Sequence, residues 1–176
     1  MERLDIIDKK GNLTKNTATR KEVHQKGLLH HASGLIIVRR IDNNWYILSQ
    51  QRSLNKEKNA GLWDISASGH ILSGESPILS LTREVKEELG ISVNTEELVL
   101  LGKFWRNEVH NKTFFENELD YIYLLNKDID TNLLKIQKDE VEDIKWIRLN
   151  EFKILIDNKK AVARNQIYDE LFKYLG

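Results

Sequence analysis

The chain of 176 residues contains no cysteine. This absence excludes disulfide bonds, thiolate metal sites and cysteine nucleophiles, and it is compatible with a reducing compartment. An excess of charge of one sign is also lacking, because 27 lysines and arginines balance 27 aspartates and glutamates. Without a net charge, no overall field favours nucleic acid or an acidic membrane surface. We therefore expect any affinity for phosphate groups to be local.

Long apolar runs are missing as well. The N-terminus has no signal-like apolar stretch, and no segment approaches the ~20 apolar residues that a membrane-spanning helix needs. The length suits one domain, and no repeat or low-complexity segment is evident. We predict a single cytoplasmic domain over residues 1–176, a monomer or homodimer, with no nucleic-acid or membrane partner. We expect its core at about 28–157, an N-terminal extension at 1–27 and a C-terminal helix at about 164–175.

Local patterns predict an α/β fold in which helices flank a sheet. The expected strands are Leu4–Ile7, Leu35–Arg39, Trp45–Ser49, Leu98–Trp105, Tyr121–Leu125 and Ile144–Ile147. Asn150 is expected to cap a short helix that runs through Ile156, and residues 165–175 have helical spacing. The polar segment Lys9–Thr19 is the one linker-like stretch.

Residues 69–91 hold four glutamates, one arginine and three glycines around one short helix. Ser76 can cap the first free N–H groups of this helix, and Pro77 loses no hydrogen bond at its first position. Gly90 is a natural stop signal. The apolar residues of the helix repeat at spacings of three and four and predict a buried stripe: Ile78, Leu81, Val85 and Leu89.

Three glutamates of this helix share one face. Glu84, Glu87 and Glu88 are spaced i, i+3, i+4, so their like charges repel one another. A hard divalent cation would relieve that repulsion, and oxygen-rich sites suit Mg²⁺ or Mn²⁺ together with substrate phosphates. The alternative is a solvated acidic face on which Arg83 and Lys86 supply local counter-charges.

The complete spacing of this segment resembles an unbroken Nudix box. The matching positions are Gly69, Glu75, Arg83, Glu84, the aliphatic Val85, Glu87, Glu88, Gly90 and the aliphatic Ile91. The resemblance implies an α/β/α sandwich with a mixed central sheet. It also implies metal-dependent hydrolysis of a small-molecule diphosphate linked to some other moiety.

The resemblance also assigns roles to single residues. Glu84, Glu87 and Glu88 match the family's metal ligands, and the carbonyl of Gly69 is a further candidate. Arg83 matches the arginine that orients these carboxylates, and Glu75 matches a structural partner at the helix start. The base that activates water stays open between four glutamates: Glu87, Glu88, Glu116 and Glu118.

Other segments resemble the Nudix branch that is related to isopentenyl diphosphate isomerase. These segments are Leu4–Asp8, Arg20–His24, Leu29–His30, Gln51–Ser53 and Gly61–Asp64. The branch implies a possible second metal site made by His24, His30, His70, Glu116 and Glu118. It also implies that Arg52, Lys56 and Arg20 hold the substrate diphosphate. Structural histidines and solvated basic residues are the alternative interpretations.

Three functions follow from these resemblances. The main prediction is a hydrolase acting on a nucleoside di- or triphosphate or a related diphosphate, with small non-nucleotide and prenyl diphosphates as further options. An isomerase is disfavoured because Ser68 replaces the catalytic cysteine, and a serine hydroxyl is far less acidic than a thiol. A Nudix-fold sensor that binds a metabolite without cleaving it is the third, and its usual sign, a degenerate box, is missing here.

Overall fold

A computed structural model describes residues 2–176 as nine strands and four helices. The strands are β1 Arg3–Ile7, β2 Leu13–Thr19, β3 His30–Ile41, β4 Asn44–Arg52, β5 Trp63–Asp64, β6 Ala67–His70, β7 Val99–Asn111, β8 Phe114–Asn126 and β9 Val141–Arg148. The helices are α1 Arg20–Lys26, α2 Pro77–Leu89, α3 Leu149–Asp157 and α4 Asn165–Leu175. None of the helices within residues 2–176 is long and apolar enough to cross a membrane.

Strand β3 is the centre of a mixed sheet. It runs parallel to β8 along one edge and antiparallel to β6 and then β4 along the other. Strand β7 extends the sheet beyond β8, and β9 extends it beyond β4, both antiparallel. The mixed sheet predicted by the resemblance is confirmed.

Alternate residues of β3 supply the two faces of this sheet, as the two-residue period of a strand requires. Leu35 and Ile37 face the cluster that buries the apolar side of α2. Ile36 and Val38 face the cluster that holds Phe152 of α3 together with the buried side of α4. Helices therefore cover both faces, and the predicted α/β/α sandwich is confirmed.

Helix α2 forms where its local signals place it. The Ser76 side chain accepts a hydrogen bond from the Leu79 N–H at 3.2 Å, and Gly90 ends the helix with a φ of 73°. Leu81, Val85 and Leu89 are fully buried. The prediction was wrong for Ile78, which is 38% exposed because it lies in the first turn, outside the cluster against the sheet.

The N-terminal residues contain more regular structure than predicted. The supposed linker Lys9–Thr19 is mostly β2, which pairs with β1 in an antiparallel hairpin. Its side chains are largely exposed and only Ala18 is buried, so the segment shows little of the apolar alternation that marks a strand. Leu4, Ala18 and Val23 form a small cluster of their own, and β1 joins the sheet through Ile6 opposite His30.

Two other predictions of local structure were wrong. Strands β7 and β8 form one long hairpin, although only 98–105 and 121–125 were expected to be extended. The added part carries polar side chains on its inward face, so apolar alternation is lost there. Helix α3 begins at Leu149 without a side-chain cap, which places Asn150 inside the helix and not at its cap.

Helix α4 packs with fully buried side chains although it follows the expected core at 28–157. Leu171 is 0% exposed, whereas Tyr174 is 54% exposed on the same helix. We expect Leu171→Ala to lower the free energy of unfolding by about 2–5 kcal/mol because it opens a cavity in the main core. Chemical denaturation measures this change.

The matched control is Tyr174→Ala, for which we expect less than about 1 kcal/mol. Equal small effects of both variants would mean that α4 is an appendage and that the expected core boundary is right.

Candidate active site

A cavity of about 210 Å³ lies between the acidic side of α2 and the inward face of β8. Ten of the residues predicted from the sequence line it: Gly69, Glu84, Glu87, Glu88, Arg52, Lys56, Arg20, His70, Glu116 and Glu118. Arg83, His24 and His30 do not line the cavity, but each contacts a residue that does. The fold therefore brings the predicted residues together from α1, β3, β4 and the loop after it, β6, α2 and β8.

Arg83 organises the glutamates of this motif. Its Nε and Nη2 atoms each donate to Glu75 at 3.0 Å, and Nη1 donates to Glu84 at 2.7 Å and to Glu87 at 3.4 Å. Nη2 also donates to the carbonyl of His70 at 3.1 Å, which ties α2 to β6. Through these bonds Arg83 holds the pKa of Glu75 below its usual range.

The carboxyl groups of Glu84 and Glu88 have raised pKa values because they are buried. Burial raises the pKa of Glu84 to about 7, although Arg83 opposes this shift. Burial, together with Glu84, raises the pKa of Glu88 to about 8. Glu88 accepts hydrogen bonds from the Ser68 N–H at 3.2 Å and from Gln50 Nε2 at 3.1 Å. The side chain of Glu87 is 52% exposed at the mouth of the cavity.

Gly69 is required because of the space it leaves. A Cβ at this position would collide with the carboxylate of Glu84, so the backbone of β6 lies directly against that carboxylate. Buried carboxylate oxygens that lie against the backbone of Gly69 provide oxygen ligands, which suit a hard cation such as Mg²⁺. The residues present therefore fit the metal that the sequence predicts.

A second group of possible ligands lies beside the first. Ligand atoms of His24, His30, His70 and Glu118 all fall within 4.8 Å of one another. The Nδ1 atoms of His24 and His30 lie 2.9 Å and 3.0 Å from the carbonyls of Phe115 and Leu28. If Nδ1 donates in each case, the lone pair on Nε2 points into the group.

The environment of this group also suits a metal. Nε2 of His30 is buried, and no atom of residues 2–176 forms a hydrogen bond with it, although Glu118 lies 3.3 Å away. Burial lowers the pKa of His24 to about 4, so this imidazole is neutral, as a metal ligand must be. Arg106 pairs with Glu118 and keeps the pKa of that carboxylate low.

Glu116 belongs to a different group from the four residues above. Its carboxylate pairs with Lys58 and with His110, the latter at 2.8 Å, and Arg106 lies 3.5 Å away. Although burial acts in the opposite direction, Arg106 and Lys58 lower the pKa of Glu116 to about 2. The role of Glu116 as a metal ligand stays a prediction.

The three predicted phosphate contacts are partly engaged with acids. Arg52 Nη1 lies 3.7 Å from Asp64, Lys56 pairs with Glu140, and Arg20 lies 3.5 Å from Glu2. Arg20 is half-exposed at the start of α1, whereas Arg52 at the end of β4 and Lys56 in the loop after it are more buried. An incoming diphosphate would compete with these acids for three cations on one side of the cavity.

Seven charged residues of the cavity wall were not predicted from the sequence: Glu2, Lys58, Asp64, Arg106, Asp120, Glu140 and Arg164. The Arg106–Glu118 pair follows from the register of the β7–β8 hairpin, so a correct hairpin would have revealed it. Asp64 and Arg164 form a buried two-pronged ion pair, with Nε to Oδ1 at 2.7 Å and Nη2 to Oδ2 at 3.1 Å. These two residues are 100 positions apart, and no local pattern predicts their contact.

Ser68 lies in the wall of the cavity beside this ion pair. Its hydroxyl accepts a hydrogen bond from Arg164 Nη2 at 3.3 Å, while its backbone N–H donates to Glu88. The position at which the isomerase resemblance implies a catalytic cysteine therefore carries a hydroxyl bonded to a guanidinium.

Known proteins resemble this chain in sequence. The model of the NUDIX domain matches residues 29–170. An uncharacterised Nudix hydrolase of Clostridium acetobutylicum is 34% identical over 156 residues, which are 89% of this chain and 74% of that protein. Isopentenyl-diphosphate Delta-isomerase 2 of Photorhabdus laumondii is 31% identical over 161 residues, which are 90% of this chain and 84% of that protein.

A solved structure shares the fold. A crystal structure of a Deinococcus radiodurans protein matches with a TM-score of 0.69 and 15% identity, covering 96% of this chain and 97% of that one. The domain match and the two relatives agree with the box on α2 and with the geometry of the cavity. The chain therefore belongs to the NUDIX family, on the branch that is related to isopentenyl diphosphate isomerase.

Proposed function

We propose that this protein is a metal-dependent hydrolase that cleaves a diphosphate linkage by attack of water on phosphorus. The class of enzyme, a Nudix-type pyrophosphohydrolase, follows from the family and its hydrolase-named members. A nucleoside di- or triphosphate or a related diphosphate is the proposed substrate. One observation carries the proposal: the buried carboxylates of α2 and the basic side chains predicted to bind phosphate line one cavity.

The carboxylates of α2 would hold the metal. Glu84, Glu87 and Glu88, with the carbonyl of Gly69, would bind Mg²⁺, and Mn²⁺ is the alternative ion. When bound, such an ion polarises a phosphoryl oxygen, lowers the pKa of water and neutralises charge on the leaving phosphate. Arg83 fixes Glu84 and Glu87 in place before the ion arrives.

The opposite side of the cavity would hold the substrate. Arg52 and Arg20 offer guanidiniums that can each bind two phosphate oxygens at once, and Lys56 adds a mobile point charge. The small volume of the cavity suits a diphosphate, with the attached group extending beyond it.

We place the base that activates water on α2. Arg106 keeps Glu116 and Glu118 ionised and paired, which makes them weak proton acceptors near neutral pH. Glu87 is open to water, and Glu88 lies deeper in the cavity wall. Glu87 can act as proton acceptor and as metal ligand, and Glu88 can do so once a bound cation displaces the proton that its raised pKa retains near neutral pH.

The decisive experiment is ³¹P NMR of the protein with Mg²⁺ and a panel of nucleotides, nucleotide sugars, dinucleotide cofactors and prenyl diphosphates. We expect new phosphate resonances for at least one compound, and loss of turnover by about 100-fold or more in Glu87→Gln or Glu88→Gln. Gln has the shape of the protonated acid, so both variants should fold.

Glu96→Gln is the control, because Glu96 is exposed and lies outside the cavity. Near-normal turnover by well-folded variants of both Glu87 and Glu88 would refute the assignment. Tight binding without cleavage of any compound would favour the sensor.

Removal of the metal should stop hydrolysis. After treatment with a chelator we expect no measurable turnover, and full recovery with Mg²⁺ or Mn²⁺ but not with Na⁺, because only a divalent cation offsets the three carboxylates. Phosphate release in metal-free and reloaded protein is the measurement. Equal rates in chelated and reloaded protein would contradict metal dependence.

Isomerisation of a prenyl diphosphate is the second candidate. The histidine group favours it, because His24, His30, His70 and Glu118 correspond to the metal site that the isomerase resemblance implies. The absence of any cysteine argues against it. Formation of the allylic isomer with an intact diphosphate would establish the isomerase.

The histidine group provides its own prediction. We propose that it binds a second divalent ion, and we expect His70→Gln to weaken one class of Mn²⁺ sites at least about 10-fold because an imidazole ligand is lost. Titration with Mn²⁺, followed by electron paramagnetic resonance, measures this without any turnover. His31→Gln is the matched control, since His31 contacts the carbonyl of Gly11 outside the group. Unchanged Mn²⁺ binding in His70→Gln would mean that these histidines are structural.

A further inference from the structure

Asp120 is a buried acid whose oxygens lack hydrogen-bond donors. It lies on β8, is 2% exposed and lines the cavity, yet neither Oδ1 nor Oδ2 has a hydrogen-bond partner within residues 2–176. Arg106 Nε and Arg164 Nη1 lie 3.5 Å and 3.6 Å from Oδ2, close enough for ion pairing but too far for a hydrogen bond. Buried carboxylates without donors are rare and require an explanation.

The surroundings of Asp120 determine what could bind there. A phosphate group would be repelled by the carboxylate and by the neighbouring Glu118. A hydrocarbon would leave the buried oxygens without donors, which is costly. A neutral hydroxyl or amino group would fill the open lone pairs without adding charge to the two ion pairs.

Space for such a group continues past Asp120. Asp120, Arg106 and Arg164 also line an adjoining groove of about 330 Å³ between β7 and α4. Its other walls include two aromatic rings and two amides: Phe104, Trp105, Asn107 and Gln166. The aromatic rings can cover a flat apolar face of a ligand, and the amides can bond its polar edges. None of the proposed metal ligands is among the residues that line this groove.

We propose that Asp120 selects the group attached to the diphosphate by accepting a hydrogen bond from a neutral hydroxyl or amino donor. That group then extends into the groove between β7 and α4. Asp120 is thus a specificity-determining residue, and the inference rests on the proposed hydrolase function. It favours substrates whose attached group carries such donors, as sugars and nucleosides do, over prenyl diphosphates.

The test compares two classes of diphosphate. We would measure kcat/KM for a nucleoside diphosphate, a sugar nucleotide and geranyl diphosphate with wild type, Asp120→Leu and Asp120→Asn. We expect the ratio of the better donor-bearing compound to geranyl diphosphate to fall at least about 10-fold in Asp120→Leu. Asp120→Asn keeps one acceptor oxygen and should restore part of the ratio.

Asp143→Asn is the control, because Asp143 is an exposed strand residue that lines neither the cavity nor the groove. The ratio is the readout because partial unfolding lowers both rates by the same factor. Equal ratios in wild type and Asp120→Leu would overturn the inference and leave the hydrolase proposal intact.

A binding measurement separates the two proposals. Dissociation constants of the same compounds would be measured for the wild-type protein and for Asp120→Leu. Selective binding that Asp120→Leu abolishes, without cleavage by the wild type, would remove the hydrolase and support the role of Asp120. If the wild type neither binds nor cleaves any of these compounds selectively, the inference is overturned.

Discussion

The bonds of Arg83 are the interaction on which the candidate site depends. Its guanidinium donates hydrogen bonds from two nitrogens to Glu75, and it also donates to Glu84, to Glu87 and to the carbonyl of His70. These contacts join the acidic helix to the strand that carries Gly69. Without them, neighbouring carboxylates would repel one another, and the turn between β6 and α2 would lose its main polar anchor.

The cavity wall contains two groups of carboxylates with different neighbours. On α2, burial leaves Glu84 and Glu88 with raised pKa values and few cations nearby. On β8, Arg106 compensates Glu116 and Glu118 directly. The first arrangement can accept an added cation, whereas on β8 Glu116 is already paired and Glu118 is shared between Arg106 and the histidine group that is proposed to bind a second ion. This difference is the reason why the proposed base is placed on α2 and not on β8.

The sequence predicted features that depend on neighbouring residues. Helix α2 follows from Ser76, Pro77 and Gly90, and the central strands β3 and β4 follow from short segments rich in β-branched and aromatic residues. The mixed sheet and the sandwich came from the resemblance of the box to a family. The box also named the residues that line one side of the cavity.

Features that depend on distant contacts could not be predicted in this way. The inward face of the β7–β8 hairpin is polar because it borders a cavity, so it lacks the alternation that marks a strand. Asp120 resembles any other acid in a polar stretch until its burial is known. Arg164 lies in an irregular segment before α4, and only the folded chain brings it to Asp64.

The long separation of Asp64 and Arg164 has a consequence for the order of folding. If the sheet formed while α4 was still undocked, the buried carboxylate of Asp64 would lack its two-pronged partner and would keep only Arg52, whose Nη1 lies 3.7 Å away. Such an intermediate is penalised electrostatically, because a buried carboxylate without its cation is unfavourable. We therefore expect docking of α4 and completion of the cavity to be coupled, which would limit the time during which an unfinished cavity is exposed to other chains.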